Sequence, residues 1–207
     1  MLLRQGETRL DPRVRRTRQA LKRALNELMS EKSFAAITVQ DIAARAAINR
    51  VTFYAHFRDK FDLLEFALRE MFHESLRVRL PEGSPLSAEN LGQLIWIVCD
   101  FLAEVRGHCP PPHAQFELLM ENQIKGELYG VVQAWLTDRL PDTSPSAASP
   151  ELAAMVASWA IYGAAVQWSR QDPAVPLKEF IQQVQPIILA SLQFEGATRS
   201  RDGAKRR

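Results

Sequence analysis

The apolar positions of the chain repeat with the period of a helix. Val14, Leu21, Leu25 and Leu28 recur at offsets of 7, 11 and 14, which is one helical face. That spacing predicts a helix from about Arg13 to Ser30, closed by Phe34 in Lys-Ser-Phe-Ala-Ala. A second helix is predicted from Thr38, with Ile42, Ala43 and Ala46 inward. A third is predicted from near Asn49 to near Phe57, and a fourth from Asp59-Lys60 to about Leu80. Beyond Gly83 the same periodicity predicts helices near 87–106, 113–122, 123–139, 150–170 and 177–194. No segment alternates with period two for long enough to be a strand. Punctuation agrees: no Gly stands between Gly6 and Gly83 and no Pro between Pro12 and Pro81. Later prolines cluster at 81/85, 110–112, 141/145/150 and 173/176, between the apolar stretches, and mark connections. Pro186 is expected to kink or restart the last helix. The fold class expected is all-α.

Two of these helices carry chemistry. The segment from Thr38 to Lys60 reads as two short helices joined by a tight turn, the second presenting polar side chains, which is the form of a helix-turn-helix DNA reader. Ala43, Ala46 and Ala47 keep the crossing small. Ile42, Ile48, Phe53 and Phe57 supply an apolar clamp, with Phe53 and Phe57 four apart and inward. Asn49, Arg50, Val51, Thr52, Tyr54 and Ala55 are left at the N-terminus and outer face. Arginine bonds guanine bidentately, and Val51, Ala55 or the Thr52 methyl can touch a thymine methyl. Thr38, Tyr54 and Lys60 are types that bond phosphate oxygens. Thr38 with Asp41 is a cap pattern, although Glu or Gln is the stronger partner three residues on. His56 falls near Phe53 on a helical wheel, so partial burial competes with a backbone contact.

Charge separates this segment from the rest. The 207 residues hold 26 Lys/Arg and 24 Asp/Glu, a net of only +2. Residues 1–60 hold 13 basic against 6 acidic side chains, a net of +7. Residues 61–198 hold 8 against 17, a net of −9, and residues 199–207 hold 5 against 1, a net of +4. The basic end coincides with the helix-turn-helix, and phosphate neutralisation dominates affinity for DNA. Arg4, Arg9, Arg13, Arg15, Arg16 and Arg18 form a basic arm able to follow phosphates or enter a minor groove, or simply a solvated leader.

At these residues the sequence resembles the tetracycline-repressor (TetR) family. The resemblance rests on Thr38-Val-Gln-Asp-Ile-Ala, Ala47-Ile, Thr52-Phe-Tyr-Ala-His-Phe57-Arg-Asp-Lys60 and Leu63-Leu64, and covers about residues 13–66. It implies an all-helical homodimer that binds a palindromic double-stranded DNA operator, with DNA contacts at Thr38, Arg50, Thr52, Tyr54, His56 and Lys60. One departure is visible. The turn usually carries Gly, whereas here it reads Ala46-Ala47-Ile48, and Ala at a left-handed position costs on the order of 1 kcal/mol.

The expected organisation is a flexible basic arm at 1–12, the helix-turn-helix domain at 13–60, a helical effector-binding and dimerisation domain at 61–195, and a basic tail at 196–207. The third of these carries no Gly-x-Ser-x-Gly, phosphate loop or His-Glu-x-x-His, so no enzyme, cofactor or metal site is expected. The cluster His108-Cys109-Pro-Pro-Pro-His113, with Cys99 before it, matches no common zinc spacing. Trp96, Phe101, Phe116, Met120, Trp135, Trp159 and Tyr162 are candidates to line a cavity for an apolar small-molecule effector, or are simply core. Ala153, Ala157, Ala160 and Ala164 make a small-residue stripe. With Phe180, Val184 and Ile188 it forms either a dimer interface or an intrachain contact. No run approaches 18 apolar residues and no leader is read at the start. Two cysteines make no disulfide framework, so a cytoplasmic protein without membrane partners is expected. The reading is a sequence-specific transcriptional regulator, a repressor released by an effector. The alternative is a helical ligand- or metal-binding protein that no longer reads DNA.

Overall fold

The computed structural model describes residues 11–108, 114–138, 149–170 and 175–192. Among these residues there are eight α-helices, one turn of 3-10 helix and no strand. The helices are α1 (Pro12–Glu31), α2 (Val39–Arg45), α3 (Arg50–Tyr54), α4 (Lys60–Arg79), α5 (Ala88–His108), α6 (Ala114–Thr137), α7 (Pro150–Arg170) and α8 (Leu177–Leu192). The all-α expectation holds. Two details differ. The helices expected at 113–122 and 123–139 are one, because the chain between Ala114 and Thr137 carries no Pro to stop it and a helix tolerates Gly126. The last helix runs through Pro186 without restarting. The missing N–H there deprives the Gln182 carbonyl of its donor, and both residues are exposed, so water can serve in its place.

The chain divides into two compact units. The first comprises residues 1–74 and 103–123. Here α1 starts on Asp11, whose carboxylate accepts from the Arg13 N–H at 2.8 Å, with Pro12 in the first turn. Its inner face, Leu21, Ala24, Leu25 and Leu28, is buried, and α1 packs on α2. Across the same pair, the Arg45 guanidinium is bidentate on Glu31, at 2.8 and 2.7 Å. That bond holds the Glu31 carboxyl below its ordinary range. The second unit comprises residues 75–102 and 124–207, where α7 packs on α8. Its core is aliphatic: Leu91, Leu94, Ile95 and Val98 of α5, Leu128 and Val132 of α6, Ile161 of α7, and Ile188 and Leu192 of α8 are all buried.

The turn between α2 and α3 carries measurable strain. The Ile48 N–H bonds the Ala43 carbonyl at 3.0 Å and the Ala47 N–H bonds Ala44 at 3.1 Å. These two bonds are the Schellman closure of a helix, which requires a left-handed residue between them. Ala47 fills that place at φ 54°. Replacing it by glycine relieves the Cβ clash and loses some chain entropy, so Ala47→Gly is expected to stabilise the protein by about 0.5–1 kcal/mol. Urea unfolding of the variant checks this, and a loss of stability would mean that the turn is unstrained.

Candidate nucleic-acid interface

The site is built on α2 and α3, which pack together. Thr38 caps α2: its hydroxyl accepts from the Asp41 N–H at 3.1 Å, and the Asp41 carboxylate accepts from the Thr38 N–H at 2.9 Å. Aspartate thus completes the reciprocal box that glutamate more often closes. Lys32 reaches the same carboxylate at 2.8 Å. That bond first, then those from Thr38, lowers the Asp41 pKa to about 2. Asn49 caps α3 by accepting from the Val51 N–H at 2.9 Å.

A helix of five residues cannot hold itself in water. What holds α3 is one side chain: Phe53 is fully buried, with its ring 5.5 Å from Tyr54 and 6.0 Å from the buried Phe57. The opposite face is left to solvent. Val51 is 76% exposed and Tyr54 48%, and Asn49, Arg50 and Ala55 are exposed as well. An exposed valine between an arginine and a tyrosine has no packing reason within the chain. The Arg50 guanidinium lies 5.5 Å from the Tyr54 ring and donates to its hydroxyl at 3.2 Å, so the two side chains are held as one group. Thr52 is half-buried and Thr38 is exposed.

Two basic residues sit differently from the sequence reading. Arg18 is no part of a loose arm. Its guanidinium lies over the rings of Phe57 and Phe66, at 5.1 and 5.4 Å, and donates to the His56 carbonyl at 3.4 Å. A cleft of about 60 Å³ beside it is lined by Arg18, Phe57, Asp62, Glu65, Phe66 and Arg69. His56 itself is half-buried, and partial burial, then the Arg18 charge, lowers its pKa. Lys60 was expected on a phosphate. In the unbound chain its ammonium donates to the carbonyls of Phe34, Ala35 and Ile37 at 2.9, 3.1 and 2.8 Å. Neither partnership is visible in the spacing, because the partners lie 23 to 38 residues away.

The candidate effector residues fall in both units. Met120 belongs to the first unit, whereas Trp96, Phe101, Trp135, Trp159 and Tyr162 belong to the second. Phe101 and Trp135 are buried and Tyr162 half-buried. Trp96 is half-buried with the Arg79 guanidinium 3.6 Å from its ring. Trp159 departs from the expectation: it is 62% exposed, with the Lys125 ammonium 4.2 Å from its ring. The side chain of Phe116 lies outside the described residues, as do those of His108, Cys109 and His113. Among the described residues no group of ligating side chains could hold a metal ion. Cys99 is buried, and burial, then the Asp100 charge, pushes its thiol up to about 12.

The alanine stripe also divides. Ala153 and Ala157 are buried within the chain, as is Ile188, so for these three the contact is intrachain and not a surface. Ala160 is exposed, and Ala164, Phe180 and Val184 are half-buried. The outward face of α7 is a different stripe that the sequence reading missed. Leu152, Met155, Val156 and Trp159 are all more than 40% exposed, at the i, i+3, i+4, i+7 spacing of one helical face, and Ala160 continues it. On α8, Ile187 is 72% exposed.

A capped helix, a Schellman turn and a short second helix with a polar, solvent-facing side make this an all-α helix-turn-helix protein. Residues 22–67 match the family described as bacterial regulatory proteins, tetR family. The uncharacterized HTH-type transcriptional regulator YxbF of Bacillus subtilis (strain 168) is 43% identical over 63 residues, 30% of this chain and 17% of that protein. The match therefore spans less than a fifth of that relative. Solved structures agree over more of the fold. Thermus thermophilus FadR, a TetR-family transcriptional repressor in complex with lauroyl-CoA, superposes with a TM-score of 0.58 at 17% identity, over 89% of this chain and 100% of that one. Bacillus subtilis FadR in complex with stearoyl-CoA gives 0.56 at 16% identity, over 84% and 98%. A tetR-family transcriptional regulator from Streptomyces coelicolor gives 0.53 at 21%, over 86% and 80%. The similarity to that family covers residues 22–67, the segment that holds the helix-turn-helix. No helix among the described residues is long and apolar enough to cross a membrane.

Proposed function

We propose that this protein is a sequence-specific DNA-binding repressor that acts as a homodimer on a palindromic operator. The observation that carries the reading is the solvent-facing Arg50–Val51–Tyr54 surface of α3, on a helix whose other side is fixed by fully buried Phe53. Arg50 reads a guanine edge, and Val51 and the Thr52 methyl meet thymine methyls. Asn49, Thr38, Tyr54 and His56 bond the phosphate backbone. The +7 of residues 1–60 draws the domain to DNA, and the −9 of residues 61–198 turns the other end away.

Two-fold operator reading needs two copies of α3 about 34–36 Å apart. The apolar face of α7 with Ile187 of α8 is where a second copy of the chain docks, and the exposed Ala160 lies within it. An apolar small molecule bound in the helical region beyond α4 shifts the dimer to a state of lower DNA affinity. The acyl-CoA complexes of two proteins sharing this fold make acyl-CoA the first class to try. A ligand of this kind acts only through its different affinity for the two states.

The reading is tested by selecting duplexes from a randomised pool with the full chain. An inverted repeat is expected. Arg50→Ala is then expected to cost about 1–3 kcal/mol against the selected duplex and to relax choice at one base pair of each half-site. An equal loss on every sequence would contradict a base-reading role. Failure to enrich any sequence would instead favour the helical ligand-binding alternative.

A further inference from the structure

The Lys60 ammonium has three N–H donors and meets three backbone carbonyls, those of Phe34, Ala35 and Ile37, at 2.9, 3.1 and 2.8 Å. Its charge also lies 4.7 Å from the Phe34 ring and 5.8 Å from the Phe61 ring, and these two rings meet edge to face at 5.3 Å. No N–H of Lys60 is left over for a phosphate. The third carbonyl matters most. The Ile37 C=O and the Thr38 N–H belong to one peptide unit. Lys60 holds the oxygen side of that unit, and the Asp41 carboxylate holds its N–H at 2.9 Å. A rigid, planar peptide gripped at both ends cannot rotate. Its orientation sets where the Thr38 cap, and hence the first turn of α2, points.

We infer that Lys60 is a positioning residue that fixes the Ile37–Thr38 peptide in front of α2, and not a ligand of the DNA backbone. The inference rests on the proposed DNA reading for its consequence and on the unbound protein for its geometry. The two cations nearest the cap have complementary tasks. Lys32 pairs with Asp41 from the α1 side at 2.8 Å, and Lys60 reaches the preceding peptide from the start of α4. The turn between α1 and α2 is therefore tied to α4 by backbone acceptors that any sequence there would offer, which is why the Phe34–Ile37 sequence betrays nothing of it.

The test compares Lys60→Met, which keeps the apolar stem, with Lys60→Arg, which keeps the charge on a planar fork that cannot converge on three carbonyls. Each full-length variant is titrated against a duplex selected by the wild-type chain over a range of salt concentrations. Backbone amide spectra are recorded without DNA. A positioning role predicts that Lys60→Met weakens binding about tenfold or more, with the slope of log K against log salt unchanged. It predicts that Lys60→Arg is also weakened at unchanged slope, and that the amides of Ala36 to Asp41 move in both free variants. A phosphate ligand predicts the opposite: a slope smaller by about 0.9 in Lys60→Met, unmoved amides, and near wild-type binding by Lys60→Arg. A reduced slope overturns the inference. If the wild-type chain enriches no duplex, the DNA reading fails, and the amides alone then decide: displaced, they uphold the clamp; unmoved, they overturn it.

Discussion

Phe53→Ala is expected to destabilise the first unit by about 3–5 kcal/mol, the usual cost of emptying a fully buried aromatic site. The site is completely enclosed, and its ring is the one large buried side chain that α3 contributes. With five residues, α3 has no second buried side chain of its own, and its other local tie is the Asn49 cap. The loss should therefore fall on the reader: operator binding is expected to vanish even at temperatures where the rest of the chain stays helical by circular dichroism. Urea unfolding followed by both ellipticity and DNA binding checks this. A cost below about 1 kcal/mol would mean that α3 is held by something other than Phe53.

Trp159→Glu is expected to yield monomers by light scattering and to remove high-affinity operator binding with the fold intact. The indole is 62% exposed on the outer stripe of α7, so little intrachain packing is lost. In a dimer the same position would bury an unpaired charge, which costs several kcal/mol. Lys125, 4.2 Å from the ring, offers the new carboxylate a partner in the monomer. Ala160→Glu should act in the same way. Ala157→Glu provides the contrast: that residue is fully buried against the chain's own core, so the variant is expected to unfold and not merely to dissociate. An unchanged dimer mass in Trp159→Glu would move the interface elsewhere.

Much of the reader was legible in the sequence because its signals are local. Asp11–Pro12, Thr38 with Asp41, and Asn49 each announce a helix start within three residues. The alanines of the turn announced a strained left-handed residue, found at Ala47. Phe53 and Phe57 were readable as inward from their spacing. What escaped depends on side chains meeting across distant segments. Arg18 and Lys60 read as free cations, and each is bound through backbone carbonyls that carry no sequence signature. In α7 the alanine stripe divides, with Ala153 and Ala157 buried and Ala160 exposed. The helix is apolar nearly all round, so periodicity alone does not say which face the chain keeps for itself. Trp159 fell among the cavity candidates for the same reason.

The claim that α3 reads bases is tested most directly by the affinity of the full chain for its selected duplex against a scrambled duplex of the same length, at matched salt. A base-reading helix predicts a ratio of at least about 10³, lowered by Arg50→Ala at a single base pair, while both affinities fall with added salt. Equal affinities for the two duplexes would contradict it, and would leave the basic end as a general anion-binding surface.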